Sequence, residues 1–288
     1  MRYEEQAFHF PCKNAALLGI VSMPQQARTR GILFVVGGPQ YRAGSHRQFT
    51  LLARQFASNG FPAMRFDYRG MGDSEGEARD FNAIDDDIHS AIDSFFQHAP
   101  GITDVVLWGL CDAASAALFY AHQDSRITGL VLLNPWVRTE HGAAKAYLKH
   151  YYLQRLMDGG FWKKIVAGDF ALISSMHSFL LQIGKLFAYK GTSKKPDAYL
   201  QTTEPNKLPE KMLRGLQLFK GKTLFILCSD DLTAKEFSDL AAASLPWKSC
   251  LSSSDITRRD LPGANHTFSQ RRWREQIGQW TIDWIHQW

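Results

Sequence analysis

Cysteine is scarce in this chain of 288 residues, and its spacing excludes two frameworks. Cys12, Cys111, Cys228 and Cys250 lie far apart with no C-x-x-C pair, which argues against a zinc site and against a disulfide scaffold. Reduced thiols, no metal and no cofactor are the expectation. Long apolar runs are missing too. The nearest candidate, FALISSMHSFLLQIGKLFAY, is interrupted by Ser174, Ser175, His177, Ser178, Gln182 and Lys185, well short of the ~20 predominantly apolar residues that cross a bilayer. The opening MRYEEQAFHFPCKNAALLGI has no basic segment leading into an apolar stretch and a small-residue cleavage site, so a cytoplasmic protein is expected. Concentrated positive charge is also absent. The net charge is +5, but the lysines and arginines are spread along the chain with no aromatic-interleaved or zinc-finger pattern, which argues against a nucleic-acid partner.

What the chain does have is 45% hydrophobic residues, enough for a sizeable core, arranged in a regular alternation. Short apolar runs recur at GILFVV, FPAMRFD, DVVLWG, GLVLLN and TLFILC, nearly continuous in hydrophobicity, as strands buried on both faces of a parallel sheet should be. DITRRDL follows as a last, more polar strand, and FHF with ALLGIVS reads as a preceding antiparallel hairpin. Amphipathic segments lie between them: HRQFTLLARQFASN, FNAIDDDIHSAIDSFFQH and the stretch after Cys111. This order defines an α/β fold with a mostly parallel sheet flanked by helices.

The alternation stops between Trp136 and about Lys220. There Leu172, Ile173, Met176, Phe179, Leu180, Ile183, Leu186 and Phe187 recur at three- and four-residue steps, which predicts a helical cap inserted after the sixth strand. The expected division is a core of residues 1–135 and 221–288 with a cap of 136–220. Lysines at 163, 164, 185, 190, 194 and 195 give that cap a second reading, as a segment that touches a membrane surface.

The chemistry centres on VVLWGLCDAASAALFYA, a buried strand, a tight turn and a helix with Cys111 at the apex. G-L-C-D-A is the arrangement of a nucleophile elbow with cysteine in the usual place of serine and Ala113 in place of the second glycine. A nucleophile so placed needs a base, and the base needs a group that fixes its tautomer. CSDDLTAKEF puts Asp230 and Asp231 just past one strand, and LPGANHTFS puts His266 just past the last. Cys111, Asp231 and His266 fall in the chain order of a nucleophile, acid and histidine in α/β-hydrolases, with Asp230 the alternative acid. An isolated G-x-C-x-A is as well explained by a small buried hydrophobe; the three residues in order, each after an apolar strand, are what favour catalysis.

An oxyanion site would draw on the backbone N–H of Asp112 and on a second donor in VVGGPQYRAGSHRQF. Pro39 has no N–H, which leaves Gly38 or Gln40. Tyr41, Arg42 and His46 in the same loop either face the pocket or serve the next helix; Trp136 and Phe179 are the candidate substrate contacts from the cap side. FDYRGMGDSEG superficially suggests a dinucleotide loop, but its spacing is not G-x-G-x-x-G and acidic residues follow Gly72.

GGPQYRAGSHRQF, FDYRGMGDSEG, WGLCDAASA, CSDDLTAKEF and GANHTF together resemble the α/β-hydrolase family called exosortase A system-associated hydrolase 1. That resemblance implies an α/β-hydrolase fold, a bacterial source and a link to gene clusters for exopolysaccharide production and protein sorting. A thiol nucleophile beside a helix N-terminus and a histidine is expected to be acidic, unless the Asp112 carboxylate turns toward the sulfur. Sulfur leaves a tetrahedral intermediate more readily than alkoxide, so activated esters or thioesters are the expected small-molecule acyl substrates. Hydrolysis and acyl transfer remain open, as does a non-catalytic protein that binds a ligand or partner beneath the cap.

Overall fold

The first two strands, ten residues each, form a hairpin. β1 (Tyr3–Cys12) and β2 (Ala15–Pro24) pair antiparallel from Tyr3↔Pro24 to Cys12↔Ala15, with Lys13 in the turn at a φ of 53°. The computed structural model describes residues 2–38, 40–137 and 207–288. β3 (Arg30–Val35), β4 (Ala63–Phe66), β5 (Asp104–Leu110), β6 (Ile127–Leu133), β7 (Lys222–Cys228) and β8 (Ile256–Leu261) complete one eight-stranded sheet in the order β1-β2-β4-β3-β5-β6-β7-β8. β2 meets β4 antiparallel, and every pairing from β4 to β8 is parallel.

Parallel strands need crossovers, and helices supply them: α1 (Gln48–Ser58), α2 (Asp85–His98), α3 (Asp112–Tyr120), α4 (Leu208–Leu218), α5 (Leu232–Ala243), α6 (Leu245–Leu251) and α7 (Arg271–Ile285). Side chains alternate between faces at each residue of a strand, so two cores form. Leu33, Val35, Val105 and Leu107 lie in one with α2 and α3; Ile32, Phe34, Val106 and Trp108 lie in the other with α1 and α7. This two-sided burial explains why the strands read as unbroken apolar runs. α3 is itself almost wholly buried, and α4 lies against it closely enough that a Cβ on Gly215 would overlap the Leu118 carbonyl oxygen.

The 66–76 turn is tied together around Asp67. Asp67 is fully buried and accepts from the N–H groups of Arg42 (2.6 Å) and Asp73 (3.1 Å), while Ser74 Oγ donates to the Asp67 carbonyl at 2.6 Å. Gly72, at a φ of 56°, leaves room for that carboxylate. Behind it the buried Arg69 guanidinium is paired with Asp87 at 2.7 Å. Of the interval 136–220, residues 136, 137 and 207–220 are among those described; the rest of the expected cap, Phe179 included, lies outside the described residues. No helix among the described residues is long and apolar enough to cross a membrane.

Candidate active site

Because β3 and β5 to β8 run parallel, the loops after them emerge at one edge of the sheet, where α/β proteins place their ligands. Cys111 follows β5 at that edge. Its backbone has φ 63° and ψ −123°, outside the regions a residue with a Cβ prefers, at a cost of roughly 1–3 kcal/mol. The strain is held in place from three sides. The Cys111 N–H donates to the Leu133 carbonyl at 2.9 Å, its own carbonyl accepts from the Trp136 N–H at 3.1 Å, and the Ser115 hydroxyl donates to the Trp136 carbonyl at 2.7 Å. A Cβ on Gly109 would overlap the backbone of Ala113 and Ala114, so the elbow's first glycine is what lets the strand and helix meet this closely.

Two strands away, Asp231 caps α5 and is buried, whereas Asp230 is exposed and receives a hydrogen bond from Ser229 Oγ at 3.1 Å. His266 Nδ1–H donates to Asp231 Oδ2 at 2.8 Å, which leaves Nε2 as the free base of the ring. Burial pulls the His266 pKa down, but the hydrogen bond to Asp231 and its charge outweigh it, and the net direction is upward from the ordinary imidazole value. The charge of Asp231 acts on Cys111 and that of Asp112 on His266, so the four groups share one electrostatic neighbourhood.

The thiol itself differs from the expectation of an acidic cysteine. Burial pushes the Cys111 pKa far up and the negative charge of Asp112 adds to this; the Asp112 N–H works in the opposite sense without prevailing. The helix N-terminus is present, but its Ala113 N–H is directed to another acceptor, the Asp112 carboxylate. Asp112 Oδ2 accepts from the Gly38 N–H at 2.7 Å and Oδ1 from the Ala113 N–H at 3.0 Å. Of the two second-donor candidates, Gly38 is thus engaged by Asp112, and the Gln40 N–H donates to the Gly37 carbonyl at 3.3 Å.

The loop residues go to different tasks. Arg42 pairs with Asp67 and with Asp73 (2.6 Å), its guanidinium lying 5.7 Å from the exposed Tyr41 ring, so its charge is already committed to the neighbouring turn. His46 sits exposed in a short 3-10 segment at a φ of 53°, and Trp136 is half-buried. Asn134 was not anticipated. It is fully buried at the end of β6, with φ 42°, and its Oδ1 accepts from the Cys228 N–H at 2.9 Å, tying the exits of β6 and β7 together. An asparagine closing an apolar strand is the one sequence signal that pointed to a left-handed residue there.

The chain has the α/β-hydrolase fold, with Cys111, Asp231 and His266 lying after β5, β7 and β8. Residues 27–169, just under half of the chain, match the family model described as serine aminopeptidase, S33. Among curated proteins the chain is similar to a polyketide transferase of Penicillium sp, grgF, at 30% identity over 93 residues, covering 30% of this chain and 31% of that protein. It is also similar to the human protein ABHD12B, 35% identical over 78 residues, 27% of this chain and 20% of that one. The matched part therefore spans less than a third of the length of these curated relatives. Among solved structures, an esterase of Pyrococcus furiosus superposes with a TM-score of 0.65 at 13% identity, covering 99% of this chain and 92% of the esterase. That likeness carries the fold.

Proposed function

We propose that the protein is a hydrolase of activated acyl esters or thioesters that works through Cys111, His266 and Asp231 and a covalent acyl-enzyme. The observation that supports this best is the hydrogen bond from His266 Nδ1 to Asp231 Oδ2 at the sheet edge that also carries Cys111 in a strained elbow. Strained backbone persists where surrounding structure over-determines it, which favours a functional over a packing role for the thiol. With Cys111 neutral at rest, His266 Nε2 takes the thiol proton as sulfur attacks the acyl carbon. The tetrahedral intermediate collapses with cleavage of the acyl–oxygen or acyl–sulfur bond, and the leaving group receives that proton from His266. Water, deprotonated by His266, then attacks the thioester, and Cys111 recovers its proton on release of the acid.

A second reading, transfer of the acyl group to an acceptor other than water, is favoured by the similarity to a polyketide transferase. The cytoplasmic location, the acyl-binding cap with Phe179 and possible membrane-surface lysines, and the tie to bacterial exopolysaccharide systems rest on the sequence and its resemblance alone. The test is intact-mass detection of an acyl adduct on Cys111 after incubation with a panel of aryl esters and acyl thioesters, with Cys111→Ala and His266→Ala as controls. An adduct that survives Cys111→Ala overturns the nucleophile, and the panel's products with and without added alcohol or amine separate hydrolysis from transfer.

A further inference from the structure

The side chain of Asp112 takes no part in the mechanism above, yet it is largely enclosed and fully engaged. Among the described residues its hydrogen-bond partners are backbone N–H groups, those of Gly38 and Ala113 with its own N–H also acting on it, and no lysine or arginine pairs with it. The pocket is shaped to it. A Cβ on Gly37 would overlap Asp112 Oδ1, and Gly38 turns through a φ of 58° to aim its N–H at Oδ2. The next two positions offer no donor in its place, since Pro39 has no N–H and that of Gln40 is spent on the Gly37 carbonyl.

We propose that the Asp112 carboxylate is a resident anion at the oxyanion position, an internal block that an acyl substrate must displace before the Gly38 N–H can serve the tetrahedral oxygen. This rests on the acyl-enzyme reading of Cys111. A carboxylate in the first turn of α3 is favoured there by the helix dipole, for the same reason an oxyanion would be. Two anions cannot share one set of donors, so the carboxylate either rotates away or takes a proton as negative charge builds on the substrate. Burial pushes the Asp112 pKa up against the pull of its N–H partners, which brings its neutral form closer to working pH than that of a surface aspartate. Among the described residues the titratable groups that face it are Asp80, Cys111 and His266; Asp80 acts in the same direction as burial. The wild-type rate then has two opposed requirements, a neutral His266 and a protonated or displaced Asp112.

The experiment compares the full-length chain with Asp112→Ala and Asp112→Asn on an aryl ester, and follows capture of an aryl trifluoromethyl ketone as a hemithioketal by fluorine NMR. Asp112→Ala is expected to raise kcat/KM about 10- to 100-fold, the range of one recovered oxyanion donor, and to tighten ketone capture by a similar factor. Asp112→Asn, which keeps the shape without the charge, is expected to give a smaller gain, and both variants should lose the fall in rate on the alkaline side. Folded variants in which rate and ketone capture are unchanged or reduced overturn the block. So does a rate gain matched by an equal gain in iodoacetamide alkylation of Cys111, which would assign the effect to thiol acidity. A ketone adduct that persists in Cys111→Ala instead overturns the nucleophile, and with it the reading on which the block rests.

Discussion

Asp231 divides its two oxygens between two partners: Oδ2 accepts from His266 Nδ1 at 2.8 Å, and Oδ1 accepts from the Thr233 N–H at 3.0 Å, capping α5. One side chain therefore fixes both a ring tautomer and a helix start. Asp231→Asn can still accept at one of these positions but no longer holds the imidazole by charge, and turnover of an aryl ester is expected to fall by about 10³- to 10⁴-fold. Asp231→Ala also loses the cap, at about 1 kcal/mol. Kinetics and thermal melts on both variants separate the roles; an Asn variant with normal rate would remove Asp231 from the mechanism.

The raised pKa of His266 makes a claim about pH. As the proposed base it must be neutral, so kcat/KM should drop as pH falls through a value above the ordinary 6.5 of imidazole. In Asp231→Asn that limb should move to lower pH. Stability follows the opposite course. A folded-state pKa above the unfolded value means that the stabilising contribution is fully present below the unfolded pKa and is lost as pH rises through the folded one. Urea midpoints measured across that window should show a wild-type decline that Asp231→Asn lacks.

Thiol reactivity offers a separate check. Burial raises Cys111, Cys12 and Cys250, and it pushes Cys228 up to about 12. At pH 7.5 iodoacetamide should label folded protein more slowly than it labels free cysteine, at all four positions, and urea should restore ordinary rates. Peptide mapping of a timed reaction reads each site; rapid labelling of Cys111 in the folded chain would mean that a preformed thiolate exists after all.

Away from the site, the buried pair Arg69 and Asp87 holds the 66–76 turn to α2. Asp87→Ala leaves the enclosed guanidinium with the longer contact to Asp86 at 3.5 Å alone, a change expected to cost up to about 3 kcal/mol. Chemical denaturation should register it, and a loss below 1 kcal/mol would show that water reaches Arg69.

The strands were legible because burial on both faces forces long apolar runs: GILFVV and DVVLWG appear as β3 and β5 within a residue or two. Of the two candidate acids in the turn past TLFILC, it is Asp231 that caps α5 and meets His266. The fate of Arg42 was not. Its pairing with Asp67 and Asp73 depends on two loops that meet only in three dimensions. The direction of the Asp112 side chain was equally hidden, because it depends on the missing Cβ of Gly37, 75 positions earlier in the chain. Sequence periodicity reports which way a regular element faces; it carries no term for where a loop leaves room.

The left-handed backbone of Cys111 sets activity against robustness. At a φ of 63° glycine is the residue with least conformational penalty, so Cys111→Gly should relieve a strain that Cys111→Ala retains, and the glycine variant should melt no lower than the alanine one despite its looser unfolded chain. A lineage selected only for thermal endurance would drift toward glycine at this elbow. Under the proposed acyl-enzyme mechanism, a side chain at this position is instability tolerated for the sake of what the sulfur can do.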